Sequence, residues 1–175
     1  AVTEIHPRFF RKYSKDEKLP RLSPYLLGGI GYFRFNPQAK LDSQWIDLQR
    51  LATEGQGFAE YPDKKVYKLK QINFPIGAGF KYKLSPLFNF SAEFVYRILN
   101  TDYLDDVSTI HLGPAAFSDP IAAALSDRRP EVGKTAAPAG TQRGNPDEDD
   151  GYMLLNVKIE YYLPWDLGGQ NSGRT

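Results

Sequence analysis

The chain has 175 residues, enough for one ordinary domain, and its formal net charge of +1 excludes a global electrostatic footprint for nucleic acid. It has no cysteine, which excludes disulfide frameworks, thiol nucleophiles and thiolate metal sites. Hydrophobic residues at 41% and charged residues at 25% resemble a soluble protein, but a transmembrane barrel with a polar lumen and polar loops averages to the same values. Eleven Tyr and eleven Phe favour strands and interfacial girdles over helices. No run of about 18 uncharged apolar residues occurs, so a transmembrane helix is not expected.

A weak strand is read in Ala1 to Phe10, limited by Pro7 to an edge, a bulge or an early end. The chain begins in the middle of this strand pattern, as a C-terminal fragment or a processed form would. Arg11, Lys12, Lys15, Lys18 and Arg21, with Asp16 and Glu17 among them, make a basic segment over 11–22. It reads as a solvated turn or as a docking surface.

Tyr25 to Phe35 alternates imperfectly: Tyr25, Leu27, Phe33 and Phe35 share one face with Gly29 and Gly31, and Leu26, Ile30, Tyr32 and Arg34 the other. Gly28-Gly29-Ile30-Gly31 lies inside this strand and is not followed by a helical pattern, so it is no dinucleotide fingerprint. Glycine here suits close packing or strong curvature. A long polar loop over 37–65 follows, carrying Trp45 as an anchor or a partner contact.

Lys70 to Tyr82 alternates cleanly. Ile72, Phe74, Ile76, Ala78, Phe80 and Tyr82 make one apolar face, and small or polar residues make the other. Lys83 to Leu87 is a tight turn. Phe88 to Ile98 repeats the alternation, with Asn89, Ser91, Glu93, Val95 and Arg97 on the second face. A second long loop spans 100–150. Asp102, Asp105 and Asp106 at its start suit Asx turns better than an EF-hand, whose ligand spacing they lack. Arg128 to Asp150 has no periodicity and is expected to be disordered, and its acidic end, Asp147 to Asp150, reads as solvated. Tyr152 to Leu163 is the last alternating strand, and 164–175 a polar tail.

Strand length separates the architectures. Soluble strands run to about 5–6 residues, whereas a spanning strand needs about 9–11, tilted. Three segments reach that length, and their apolar faces end in aromatics such as Tyr82, Phe88, Tyr96 and Tyr161. Short turns on one side and long loops on the other complete the pattern of an outer-membrane barrel. The expected fold is therefore all-β, an antiparallel up-and-down transmembrane β-barrel. It would have about eight strands when complete, of which about five lie within 1–163, because fewer strands leave open edges in the bilayer.

The lumen face would carry Lys81, Glu93, Arg97, Lys158 and Glu160, with Arg34 a further candidate. A small eight-stranded interior is filled by side chains, so these charges are expected to pair as a structural plug, a pore or ligand site being the rival. His6 and His111 are the histidines. Neither has a serine beside it in a suggestive motif and no Gly-x-Ser-x-Gly occurs, so no catalytic residue, metal ligand or cofactor site is assigned.

Several stretches resemble a family of outer-membrane barrel proteins that includes PorG of the type IX secretion system. They are Pro24-Tyr25, Gly29 to Pro37, Trp45 to Gln49, Thr53-Glu54-Gly55-Gln56-Gly57, Tyr61-Pro62-Asp63, Tyr67-Lys68-Leu69, Pro75 to Tyr82, and Thr101-Asp102-Tyr103-Leu104-Asp105-Asp106-Val107-Ser108. The loop pieces Thr53 to Gly57 and Thr101 to Ser108 are the more specific, since periodicity does not dictate them. The resemblance implies a barrel of roughly eight strands in the outer membrane of a Gram-negative bacterium. It also implies a non-enzymatic role in type IX secretion and contact with a periplasmic ring of PorK and PorN type, for which the basic 11–22 segment is the candidate docking surface. Three alternatives stand beside it: a generic small barrel that binds ligands or stabilises the envelope, a barrel enzyme acting on lipids, and a soluble lipocalin-like barrel.

Overall fold

In the computed structural model, which describes residues 1–7 and 20–163, the alternating segments are strands. Of the basic segment, Arg11, Lys12, Lys15 and Lys18 lie outside the described residues, as does the 164–175 tail. The strands are β1 (Val2–Ile5), β2 (Leu22–Gly29), β3 (Gly31–Arg34), β4 (Gln38–Leu41), β5 (Gln44–Asp47), β6 (Lys70–Lys83), β7 (Phe88–Leu99) and β8 (Gly151–Tyr161). One α-helix, α1 (Pro120–Ser126), is present among the described residues, beside three short 3-10 turns. The architecture is mostly antiparallel β-sheet.

The main sheet runs in the order β1-β2-β6-β7-β8, with β3 continuing beside β6 where β2 stops. Its edges β1 and β8 do not close into a barrel among the described residues. The break between β2 and β3 falls at Ile30, between Gly29 and Gly31. A Cβ on Gly29 would stand 2.3 Å from the Ala1 carbonyl oxygen, so the missing side chain lets β1 lie against β2. β6 has 14 residues and β7 has 12, both beyond the usual soluble length. The turn between them is closed by Leu84 N–H donating to the Phe88 carbonyl at 3.0 Å and by Ser85 Oγ accepting from the amides of Leu87 and Phe88.

The chain divides into a sheet unit (Ala1–Gly29, Pro75–Tyr96, Met153–Thr175) and a loop unit (Ile30–Phe74, Arg97–Tyr152), and both β6 and β7 contribute residues to each.

In the sheet unit large apolar side chains stand exposed on one face. Leu26, Ile76, Phe80, Phe94 and Leu155 are exposed, Leu155 to 74%. The face turned inward carries Tyr25, Leu27 and Val95, with Leu154 packed against them. Small residues let the backbones approach here: a Cβ on Gly77 would stand 2.3 Å from the Phe94 carbonyl oxygen.

The loop unit is more elaborate than its sequence indicates. β4 and β5 form a hairpin in the 37–65 loop, with Trp45 exposed on it. Asp119 caps α1 by accepting from the Ile121 amide, and Pro120 takes the first helical position, where a missing N–H costs nothing. The disorder expected over 128–150 is corrected. Asp127 accepts from Arg129 and from the Ala137 amide, and a β-bridge joins Ile110 to Gln142. Side-chain bonds, short turns and backbone bonds to residues 109–111, none of them periodic in sequence, order this stretch.

Candidate functional site

The two loop stretches singled out in the sequence, Thr53 to Gly57 and Thr101 to Ser108, come together in the loop unit around two buried carboxylates. Ala52, Gly55, Gly57 and Asp106 all have positive φ, so the chain turns sharply on both sides of Glu54 and at Asp106. Glu54 is fully buried. Its Oε1 accepts from the Ser108 amide at 3.0 Å and from Arg143 Nη1 at 3.2 Å. Its Oε2 accepts from the Thr109 amide at 2.9 Å, the Thr109 hydroxyl at 2.7 Å and the Tyr103 hydroxyl at 3.4 Å. A carboxylate offers about four lone-pair sites, so no acceptor capacity is left for a substrate.

Asp106 is the second centre. Its Oδ2 accepts from the Thr53 hydroxyl at 2.5 Å and its Oδ1 from the Tyr67 hydroxyl at 2.6 Å. Arg143 Nη1 also reaches Thr53 Oγ1 at 2.9 Å and the Asp106 carbonyl at 3.1 Å. Lys64 Nζ donates to the Glu54 carbonyl at 2.9 Å and to Thr109 Oγ1 at 3.0 Å. The Tyr67 and Tyr103 rings stack at 4.7 Å, 7° from parallel, and Phe35 also stacks with Tyr67, at 6.1 Å.

Burial raises the Asp106 carboxyl above its ordinary range, against the lowering effect of Thr53, Tyr67 and Arg143. Burial and the Asp106 bond raise the Tyr67 phenol far out of reach, and burial lowers Lys64. Breaking one partner of such a buried pair costs about 3–5 kcal/mol. The arrangement is a latch that holds the two long loops as one body. Gln56 donates nothing through its buried Nε2, and Asp102 Oδ2 is likewise without a partner among the described residues. Leu104 is not in the network by its side chain, but its amide donates to Asp150 Oδ2 at 2.7 Å. Arg143 and Lys64 were missed by the sequence reading. The signal for Arg143 was weak: one arginine in a segment read as disordered.

The sheet unit carries a second polar group on its inward face. Lys81 pairs with Glu4 of β1 at 2.6 Å and lies over the Tyr25 ring. Glu93 accepts from the Tyr25 hydroxyl at 2.9 Å and from Asn156 Nδ2 at 3.1 Å. Lys81 therefore pairs with a residue of β1 and Glu93 with neutral donors, rather than with each other. Lys158 and Glu160 lie exposed on β8, and Glu160 accepts from Tyr162 at 3.4 Å. In the loop unit, Arg97 donates to the Tyr152 hydroxyl at 3.3 Å, its buried Nε having no partner. Arg34 is corrected: it shares the exposed face with Tyr32.

His6 also has a serine near it, which the sequence hid because they are 17 residues apart. Its Nδ1 lies 3.3 Å from Ser23 Oγ and its Nε2 3.1 Å from Glu4 Oε2. Ser23 and Lys81 line an open cleft of about 290 Å³ with Arg21, Lys83 and Asn89. This places the described member of the basic segment, Arg21, in a cationic hollow at the turn end of β6. Among the described residues no cluster of His, Asp and Glu is placed to hold a metal ion. No helix there is long and apolar enough to cross a membrane, which says nothing of strands.

No protein-family model matches the chain, and neither a curated protein nor a solved structure is significantly similar to it.

Proposed function

We propose that the chain forms the strands and loops of an outer-membrane β-barrel, an antiparallel up-and-down barrel of about eight strands when complete, without catalytic function. The observation that carries this reading is the sidedness of β6, β7 and β8. Ile76, Phe80, Phe94, Met153, Leu155, Val157 and Ile159 face outward and exposed, while Lys81, Glu93 and Asn156 face inward. Monomeric soluble proteins rarely expose contiguous apolar patches beyond a few hundred Å². In a bilayer the same face is matched, and the inward polar groups fill a small lumen. The lipocalin-like alternative requires the opposite sidedness. The test is membrane fractionation of the full-length protein with heat-modifiable electrophoretic mobility. A soluble species with fixed mobility overturns the barrel.

Within this reading the chain acts as a PorG-like component of the type IX secretion machinery, docking periplasmic ring subunits of PorK and PorN type. The support is the convergence of Thr53 to Gly57 with Thr101 to Ser108, the stretches that carry the resemblance, and the cationic hollow of Arg21, Lys81 and Lys83. Recovery of ring subunits should fall when Arg21 and Lys83 are changed to Glu. Unchanged recovery, or normal cargo secretion on deletion, removes the docking role and leaves a generic ligand-binding or envelope-stabilising barrel.

One observation favours the enzymatic alternative, the His6–Ser23–Glu4 grouping. Two features weigh against it: Nδ1 faces the serine, whereas the familiar triad uses Nε2, and Glu4 is already engaged by Lys81. Labelling by a fluorophosphonate that disappears in Ser23→Ala would restore it.

A further inference from the structure

The outward face of the loop unit changes character abruptly along the β3–β6 pair. Tyr32 and Ile72 are register partners and both are exposed. Two residues further along, about 7 Å by the rise of a strand, the partners are Arg34 and Lys70, again exposed. Lys68 follows on the same chain, also exposed. The cations line one open cleft of about 630 Å³ with Gln49 and Val66. None of the three has a carboxylate at ion-pairing distance among the described residues. Like charges directly opposed across strands are destabilising. Two cations are nevertheless held opposite each other, with a third nearby, at the border of an apolar face.

An anion that sits above apolar groups is the chemistry this border matches. Arg presents a planar fork to phosphate oxygens, and Lys adds a mobile point charge. Acyl chains would lie along Tyr32, Ile72 and Phe74 while the headgroup meets the cations. We infer that Arg34, Lys70 and Lys68 form a binding site for a phosphorylated membrane lipid, its phosphate held at the loop end of β3 and β6. The inference rests on the barrel reading above. That reading puts the long loops outside the cell, so the lipid belongs to the outer leaflet, where the headgroup is a phosphorylated glycolipid.

The experiment uses the full-length protein in detergent, with native mass spectrometry against lipid A, dephosphorylated lipid A and inorganic phosphate. Wild type should retain lipid A and lose it at least tenfold on dephosphorylation. The Arg34→Gln/Lys68→Gln/Lys70→Gln variant should weaken lipid A at least tenfold, and Arg34→Lys/Lys70→Arg should retain it within threefold. Retention of lipid A by the glutamine variant overturns the site, as does saturation by inorganic phosphate as tight as by lipid. Heat-modifiable mobility is recorded on each sample. A protein lacking it refutes the barrel itself, and one that keeps it while binding lipid A equally with and without the cations refutes the lipid site alone.

Discussion

In the sheet unit the inward residues are small or polar around Tyr25, Leu27 and Val95, and the bulky aliphatics face outward. In the loop unit Leu99, Leu112 and Leu125 are buried, as are Glu54 and Asp106. The difference concerns where each unit finds its stability. The loop unit buries a set of apolar and charged groups of its own, away from its exposed β3–β6 face. Among its described residues the sheet unit buries three apolar side chains at its centre, Tyr25, Leu27 and Val95, and leaves its bulky aliphatics exposed; in the proposed barrel lipid covers them. In the proposed barrel one chain thus carries two solvent requirements.

The sharpest way to separate the units is Arg143→Met. It leaves the Glu54 carboxylate buried without its cation, at a cost of about 3–5 kcal/mol. Limited proteolysis should then cut the 37–65 and 100–150 loops together while heat-modifiable mobility persists. Ile76→Arg tests the other requirement. On a lipid face an arginine near the midplane costs about 2–4 kcal/mol, whereas at a water-exposed surface such changes stay within about 0.5 kcal/mol. A variant that assembles into membranes as well as wild type contradicts the barrel. Gly77→Ala is smaller in kind, since its Cβ would meet the Phe94 carbonyl at 2.3 Å. Overpacking of this sort costs about 1–3 kcal/mol, read as a lower unfolding midpoint in urea with loop protection unchanged.

The smallest effect is in pH. Burial raises the carboxyls of Asp102, Asp106 and Asp150. A raised folded pKa makes the folded loop unit take up protons more readily than the unfolded chain. Its contribution is fully present below about pH 4, the unfolded carboxylate range, and is lost as pH rises through the raised values. Asp127 has the opposite sign: Arg129 holds it well below the usual range, so its contribution is present above about pH 4 and lost on further acidification. The raised carboxyls therefore contribute a rise in loop protection on acidification toward about pH 4, opposed by His111, which burial lowers and whose contribution is lost as pH falls below about 6.5. Asp106→Asn should flatten the rise and cost about 1–3 kcal/mol at neutral pH through unmet partners.

The long strands were legible because period two is strong over ten or more residues. The expected 70–82 and 88–98 are Lys70–Lys83 and Phe88–Leu99, and the expected 152–163 is Gly151–Tyr161. The imperfect alternation of 25–35 is resolved as two strands broken at Ile30. What stayed hidden is tertiary. The β4–β5 hairpin has four-residue strands, too short for a period to show. Arg143 reaches Thr53 across 90 residues, Glu54 across 89, and Ser23 reaches His6 across 17. Local pattern carries no information about such pairs. Glu54 stands out only through likeness of loop segments and Asp106 also as one of three carboxylates read as Asx turns, and nothing in their spacing announces that both are buried.

The span of the Arg143 latch also orders events during folding. A contact across 90 residues cannot form until the second long loop has been delivered, and closing so large a loop costs entropy that only later contacts repay. Until then Glu54 keeps its hydration, and the first loop has no reason to settle. The β6–β7 hairpin, joined by a turn of four residues between the strand ends, faces no such delay. Assembly should therefore proceed from the hairpin outward, with the two long loops setting last and together. A nick in either loop would release both.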